Sequence, residues 1–562
     1  MRPPPARGAP GVCILLPRPI RAPPRAITRL QAPILLGATP WPRRRLGYCM
    51  QRSHGGPQAL PVPSRPLIAA RGAIMRVGIL SQIPSPALQS GPAIHTRFLH
   101  DGLKRRGHDA VLMGPDMHDG AQQRGQQKYL LFPSLPYPTH PKVKVSMPGS
   151  PRRLFTEHPG VDVIHGQANC HMMHYGVWAR EMWGIPFVNT HIIHLPTHSH
   201  FLLSDKLYSN DTVRQWWMGQ ATAMERSFAK NIYNHSDVFI VQSRHFVKYW
   251  RDRGVTTPIE VIGRPINPTI FSSQPTEDPY PAGFPVGGRL VVVCRHDREK
   301  NLQTLIDIFA RDIAPRDAKA TLTLVGDGHD HKNLVAHALA TGHADRIHFP
   351  GEAKHSALVN WYAHADLFVY TSLSETFGNV VNEALWSGLP AVAFDDEMGV
   401  AGQVADGVNG VLIDPTRDDA NRRLADACLE LLHNRPLRQR MGGEAANLAR
   451  RSAHPDVVLD RFDKLYATAA QHRRETFPVP LMHKARVAQL RSFAHHYRRW
   501  AMWNGLLLAI AYSATKLGAS RRVADVQHAE AQQLVADHRA QLANRRRDLV
   551  AERPAIGAAA SC

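Results

Sequence analysis

Short apolar runs alternate with amphipathic helical stretches twice along this chain, and that alternation constrains the fold more than any other feature. MRVGILSQIPSP, starting at Met75, reads as a buried strand entering a loop. The loop carries Gly91 and leads into AIHTRFLHDGLKRRGH, whose apolar residues share one helix face, and DAVLMGP is the next strand. Strand, helix, strand in this order is a βαβ unit and implies a parallel sheet. VDVIHG, PFVNTH and DVFIVQS are further short strands. After the Pro/Gly-rich QPTEDPYPAGFPVGG the pattern restarts with RLVVVCR, NLQTLIDIFA, ATLTLVGDG, RIHFPG, SALVNWYAHA, DLFVYTS, GNVVNEALWSG and LPAVAFD. The expected class is α/β, with two doubly wound Rossmann-like domains facing a central cleft. They cover 75–270 and 289–475, joined by a linker at 271–288. The second includes a helix over VVLDRFDKLYATAAQ that returns toward the first, and a basic helical tail follows over 476–562. Ligands in open parallel sheets bind outside the strand C-termini, so two facing sheets aim both sets at one cleft.

A length of 562 residues exceeds what one hydrophobic core usually serves. The net charge of +22 is unevenly spread: residues 1–74 hold twelve Arg, no Lys, Asp or Glu, and fifteen of the 44 Pro, leaving +10 for the rest. Such a segment cannot build a core. Its Arg-rich, acid-free composition fits a transit peptide, but its Pro density opposes the amphipathic helix such a peptide needs. The expectation is a disordered or spurious leader, with Met75 as the natural start. The six Cys form no CxxC pair and the 32 His no HExxH spacing, which fits a reducing compartment and points to no metal site. No apolar run reaches the ~18 residues needed to span a bilayer.

Two stretches carry chemistry. In DLFVYTSLSETFGNVVNEALWSGLP a strand ends at Ser372, a short loop carries Glu375, and a helix begins near Gly378. Unpaired N–H groups and the helix dipole make that end receptive to anions. The amides of Phe377, Gly378, Asn379 and Val380 can receive a diphosphate or sugar hydroxyls. Glu383, eight residues after Glu375, can reach a ribose diol beside the same helix end. Alone, two Glu at this spacing would be ordinary solvated carboxylates; the strand–loop–Gly–helix context singles them out. In VVVCRHDREKNL a strand ends in Arg295 and Lys300 precedes a helix, two cations able to neutralise a departing diphosphate.

SETFGNVVNEAL resembles the E-x7-E signature of glycosyltransferase family 4, the group 1 transferases with the GT-B fold, and CRHDREKNLQTLI resembles that family's R-x4-K loop and following helix. LVGDG, ADLFVYTS and the spacing to DGVNGVLIDP match as well, and the resemblance covers roughly 75–470. It implies transfer with retention of configuration and no required cofactor or metal. It also implies that Arg295 and Lys300 hold the donor diphosphate, that Glu375 and the amides after it contact the sugar, and that Glu383 contacts the ribose. Cys294 stands where the family usually has Gly, and Gln403 or Gly402 where it commonly has a carboxylate, which leaves the nucleotide preference open.

The first domain is expected to face the acceptor. Gly91, in SPALQSGPAIHTRFL, matches the family's Gly-rich loop with one Gly kept, so a backbone amide there can approach the leaving phosphate. His191, in PFVNTHIIHLP, matches its strand-end histidine; a neutral ring could hydrogen-bond the donor sugar or the incoming hydroxyl. His194 and His165 are further candidates. LFPSLPYPTHPKVKVSMPGSPRR resembles the Pro-rich basic segment of the lipid-glycosylating branch, and its Lys142, Lys144, Arg152 and Arg153 suit an anionic membrane surface. Trp216, Trp217 and the run from Trp500 to Thr515, flanked by Arg498, Arg499 and Lys516, point the same way; the alternative for that run is a buried helix. The expected activity is hexose transfer from a nucleotide-sugar to a lipid or glycan acceptor, peripherally on the inner face of the cytoplasmic membrane. Alternatives are a soluble sugar-nucleotide enzyme or glycan-building transferase of the same fold, and, at a distance, a basic nucleic-acid-binding protein. The last is disfavoured because much of the excess charge lies in 1–74 and no nucleic-acid motif is present.

Overall fold

Val, Ile and Leu fill both faces of the strands, as expected where helices cover each side of a parallel sheet. The computed structural model describes residues 74–82, 91–115, 129–138, 140–167, 169–197, 211–272, 274–328 and 330–516. The expectation for the leader thus falls, Ile74 apart, outside the described residues. Everything described belongs to one unit, Pro66–Cys562.

Its first half carries β1 (Arg76–Ser81), β2 (Asp109–Pro115), β3 (Tyr129–Phe132), β4 (Ser134–Tyr137), β5 (His140–Ser146), β6 (Val163–Gln167), β7 (Phe187–Thr190), β8 (Val238–Val241) and β9 (Ile259–Val261). Seven of these form a parallel sheet in the order β3-β2-β1-β6-β7-β8-β9, while β4 and β5 make a separate antiparallel hairpin. The basic, Pro-rich stretch read from sequence as a surface segment is therefore partly sheet. The second half carries β10 (Arg289–Val293), β11 (Thr321–Val325), β12 (Ile347–Gly351), β13 (Leu367–Tyr370), β14 (Ala391–Phe394) and β15 (Gly410–Ile413), parallel in the order β12-β11-β10-β13-β14-β15. Strand order reverses between β1 and β6 and again between β10 and β13. These are the switch points beside which such sheets bind ligands.

The structure refines three sequence expectations. The 271–288 linker is itself packed: Tyr280 and Phe284 are buried in the second half's core, and Tyr280 Oη donates to Trp361 O at 3.0 Å. The helix Pro455–Thr476 returns to pack on the first half, the direction its sequence suggested. Val458, Phe462, Leu465, Tyr466 and Ala469 form a stripe at helical spacing that seals one face of the first sheet. Third, the tail helix Arg486–Lys516 does not turn Trp500 outward. Trp500 is 2% exposed, its indole N–H donates to Ser146 O at 3.0 Å, and Asn504 donates to the same oxygen at 2.6 Å. Phe493 packs on Phe155 and Trp178, and Ala511 meets Tyr137 and Val145 of the hairpin. Met502, Leu506, Ile510 and Tyr512 remain exposed on the helix's outer side. Among the described residues no helix is long and apolar enough to cross a membrane.

Candidate active site

The end of β13 and the loop after it deliver Glu375 to the second sheet's switch point. Its carboxylate accepts from Lys300 Nζ at 2.6 Å, Tyr370 Oη at 2.7 Å and Ser372 Oγ at 3.0 Å. All three bonds fall on Oε1; none engages Oε2. Burial pushes the Glu375 carboxyl up, but the adjacent Lys300 cation and the hydroxyl donors more than reverse this and bring it to about 2. Burial pulls the other way on Lys300, and Glu375 and Glu299 hold its ammonium above the ordinary lysine range. Both groups are therefore charged at neutral pH.

Lys300 is placed by the chain leaving β10. A 3₁₀ turn, Arg298–Lys300, ends at Asn301 in the left-handed region, φ 55°, a conformation Asn tolerates better than most residues. Asn301 Nδ2 donates to Thr371 O at 3.3 Å and Thr371 Oγ1 to Asn301 O at 3.0 Å, which ties this turn to the β13 loop. Arg295 lies at the rim, half exposed, paired with Asp297 and with Glu299 at 3.1 Å. Glu299, 3.4 Å from Lys300, thus links the two cations. Nothing in the motif pointed to that bridging role.

Gly378 precedes the Asn379–Trp386 helix at φ 80°, a backbone shape L side chains rarely adopt. The loop holding Phe377 to Val380 is clamped from behind. Asp396 accepts from the amides of Met398 (2.9 Å), Ala401 (3.0 Å), Val400 (3.2 Å) and Glu375 (3.2 Å), and Gly399 N–H donates to Glu375 O at 2.8 Å. Gln403 donates to Phe377 O and to Gly399 O at 3.1 Å. A Cβ on Gly402 would stand 2.4 Å from Ser243 Oγ of the first half, so the carboxylate that relatives commonly place hereabouts has no room at that position. Glu383 is buried on the same helix: Oε2 accepts from Tyr362 Oη and Oε1 meets His355 Nε2, each at 3.1 Å. The hydrogen bond to Glu383 raises the His355 ring above the ordinary histidine value.

From the first half, Gly91 lies in the helix Gly91–Arg105, where the sequence reading expected a loop residue. A Cβ there would lie 2.8 Å from Arg264 Nη1 and 3.5 Å from Asn379 Nδ2, so the N-termini of two helices, one per half, converge. Arg264, unmarked in the sequence, sits between them. His191 is buried edge-on to Phe246 and Trp250, with Nε2 at 3.1 Å from Ile193 O. His194 comes closer to the second half, its amide donating to Thr376 Oγ1 at 3.2 Å. His165 bonds Tyr466 and Thr190, and burial lowers its ring to about 3, which makes it a packing residue.

Two family descriptions match almost end to end: Glycosyltransferase Family 4 over residues 89–270 and Glycosyl transferases group 1 over 287–448, together more than half of the chain. The chain belongs to this family of glycosyltransferases. The glycosyltransferase is 25% identical over 321 residues to an alpha-monoglucosyldiacylglycerol synthase of Streptococcus pneumoniae, covering 57% of this chain and 71% of that one. It is 25% identical over 349 residues to a GDP-mannose-dependent alpha-mannosyltransferase of Mycolicibacterium smegmatis, covering 60% and 84%. Among solved structures it resembles Anabaena HepE in complex with UDP and glucose, with a TM-score of 0.52, 18% identity, and 70% and 100% of the two chains covered. A sucrose-phosphate synthase from Thermosynechococcus elongatus gives a TM-score of 0.50 at 19% identity, covering 70% and 98%. These likenesses establish the two-domain GT-B fold expected from the sequence.

Proposed function

We propose that this glycosyltransferase moves a hexose from a nucleotide-sugar to an acceptor hydroxyl with retention of configuration, and that the acceptor is a membrane lipid. One observation carries the donor side: Glu375 is buried and ionised, anchored through Oε1 to the Lys300 cation and two hydroxyls, with Oε2 unengaged among the described residues, in the loop that leads directly to the Phe377–Val380 amides. An anionic group on the amides and Lys300 and a sugar hydroxyl on Oε2 satisfy this arrangement together. HepE, in complex with UDP and glucose, supports a nucleotide-sugar of that general kind.

In the reaction we infer, the C1–O bond to the diphosphate lengthens first, giving an oxocarbenium-like transition state. Lys300 and Arg295 stabilise the charge gathering on the leaving oxygen. The acceptor oxygen bonds to C1 from the same face, and its proton passes to the departing phosphate oxygen. His191 keeps the role of a neutral donor near the sugar, which requires its ring to leave Ile193 O. No metal is required in this reading.

The lipid acceptor is supported by the diacylglycerol named for the streptococcal relative and by the outer side of the tail helix. There Met502, Leu506, Ile510 and Tyr512 are exposed on the same helix as Arg498, with Arg152 and Arg153 exposed elsewhere on the first half. Such a surface suits peripheral attachment to anionic lipid, at the inner face of the cytoplasmic membrane. Nucleic acid has no part in it.

The test incubates the purified protein with a panel of UDP-, GDP- and ADP-sugars, with diacylglycerol-containing vesicles or a soluble sugar acceptor, with and without a chelator. Lipid-linked α-product in both chelator arms is the expected result. Inverted product, transfer only to the soluble acceptor, or chelator-sensitive turnover would each remove the corresponding part of the reading.

A further inference from the structure

Arg264 follows β9 in the segment that leaves the first half, and its side chain is enclosed at the cleft, 8% exposed. Two other buried arginines are neutralised, Arg180 by Asp237 at 2.8 Å and Arg289 by Asp278 at 2.9 Å; a third, Arg473, donates to the backbone carbonyl of Phe477 and lies away from the cleft, on the return helix. Arg264 has no carboxylate within 4.0 Å among the described residues. Its Nε has no hydrogen-bond partner among the described residues, and its remaining contacts are long, Nη1 to Asn379 Oδ1 and Nη2 to Ile192 O, each 3.4 Å. The guanidinium also lies 6.0 Å from the centre of the Phe377 ring, and its own carbonyl accepts from Asn382 Nδ2 at 3.1 Å, so it is held in place from the Asn379–Trp386 helix.

Around this cation stand the N-termini of the Gly91–Arg105 and Asn379–Trp386 helices, both ends of positive potential. Three positive features thus meet in a buried place; the negative group acting on Arg264 is Glu375, and that carboxylate is already bonded to Lys300. Burial lowers Arg264 to about 10, which leaves it charged at neutral pH. An uncompensated buried cation is costly unless its counter-ion arrives with a ligand.

Resting on the donor-site reading above, we propose that Arg264 is a third cation for the donor, binding the distal phosphate of the nucleoside diphosphate from the first-half side. Lys300 and Arg295 grip the same diphosphate from the second half, so the phosphate closes a contact between the halves. Glycine at position 91 leaves the space that the guanidinium and the phosphate share.

The test is calorimetric titration of wild type, Arg264→Gln and Arg264→Lys with UDP, GDP and ADP and with the matching monophosphates, alongside thermal unfolding of each variant. Arg264→Gln should weaken the best-binding diphosphate by about tenfold to a hundredfold, while monophosphate affinity changes by no more than about twofold. Arg264→Lys, a point charge without the planar fork, should fall between. Equal losses for both nucleotides would assign Arg264 a structural role, and unchanged diphosphate binding would remove it from the site; either overturns the proposal while leaving the donor site standing. If wild type binds none of the nucleotides, the donor-site reading fails and takes this with it. Should Arg264→Gln fail to fold, the Lys variant decides alone: a diphosphate-to-monophosphate ratio equal to that of wild type refutes the proposal.

Discussion

Glu375 and Glu383 lie eight residues apart in sequence, yet their surroundings give them different work. Glu375 leans on a cation through one oxygen, whereas Glu383 is braced by Tyr362 and His355 through both. Glu375→Gln is expected to depress turnover while leaving nucleoside diphosphate binding nearly intact, because the product lacks the sugar. Glu383→Gln should weaken donor and product alike, by about 1–3 kcal/mol, the scale of a charge-assisted hydrogen bond. Calorimetry with the product nucleotide separates the two, and the reverse pattern would invert the placement of the donor on the helix. The Lys300–Glu375 pair also predicts a pH signature. Glu375 is depressed to about 2 in the folded protein, so its contribution to stability is present above the unfolded carboxylate value and lost as pH falls toward 2. In Lys300→Met the same burial acts without the cation, so the carboxyl rises and the sign reverses. That variant should gain melting temperature from about pH 8 to about pH 5, where wild type gains none from this group. A Lys300→Met profile parallel to that of wild type would show that the pair does not govern the site's charge.

At the scale of elements, β1, β10 and β13 were legible as apolar runs because a buried parallel strand needs little besides them. The β4–β5 hairpin was not, since its prolines mask the pairing and its apolar partner, the tail helix, lies some 350 residues away in sequence. Composition also indicated that the Arg486–Lys516 helix is amphiphilic, but not which side faces the protein. Trp500 and Asn504 turn inward because Ser146 O offers them an acceptor. Deleting this helix should therefore expose Phe155 and Trp178 and destabilise the first half, so truncation is a poor probe of membrane binding. Point changes on the outer side are cleaner. Leu506→Glu with Ile510→Glu should reduce co-sedimentation with anionic vesicles severalfold while shifting the melting temperature little, surface substitutions usually costing under about 0.5 kcal/mol. Unchanged sedimentation would mean that this side does not meet lipid. Arg264 escaped the sequence reading for a related reason: GRPIN has no spacing that marks a ligand, and only the approach of Gly91 and Asn379 gives it one.

For the whole molecule, the closeness of the halves is legible in one glycine. Gly402 lies against Ser243, whose hydroxyl donates to Met398 O at 2.6 Å across the cleft. Gly402→Glu should wedge the halves apart and lower kcat/KM by about tenfold or more, the scale on which small misplacements act in oriented sites. Adding Ser243→Gly should recover part of the loss. If small-angle scattering shows no expansion for Gly402→Glu and the second change rescues nothing, the cleft tolerates more slack than these contacts imply.

The chain passes between the halves twice, once after Arg264 and once ahead of Pro455, and the two passages are joined by a hydrogen bond from Ile266 N–H to Ala453 O at 2.9 Å. Two ties at separate points would lock the halves; two ties meeting at one point form a pivot. Any motion between the halves would then centre on that point, with travel smallest beside residues 264–267. Arg264 lies two residues from that tie, where the phosphate proposed for it would stay in reach if the cleft opened, whereas a group at the lip would have to let go and find it again.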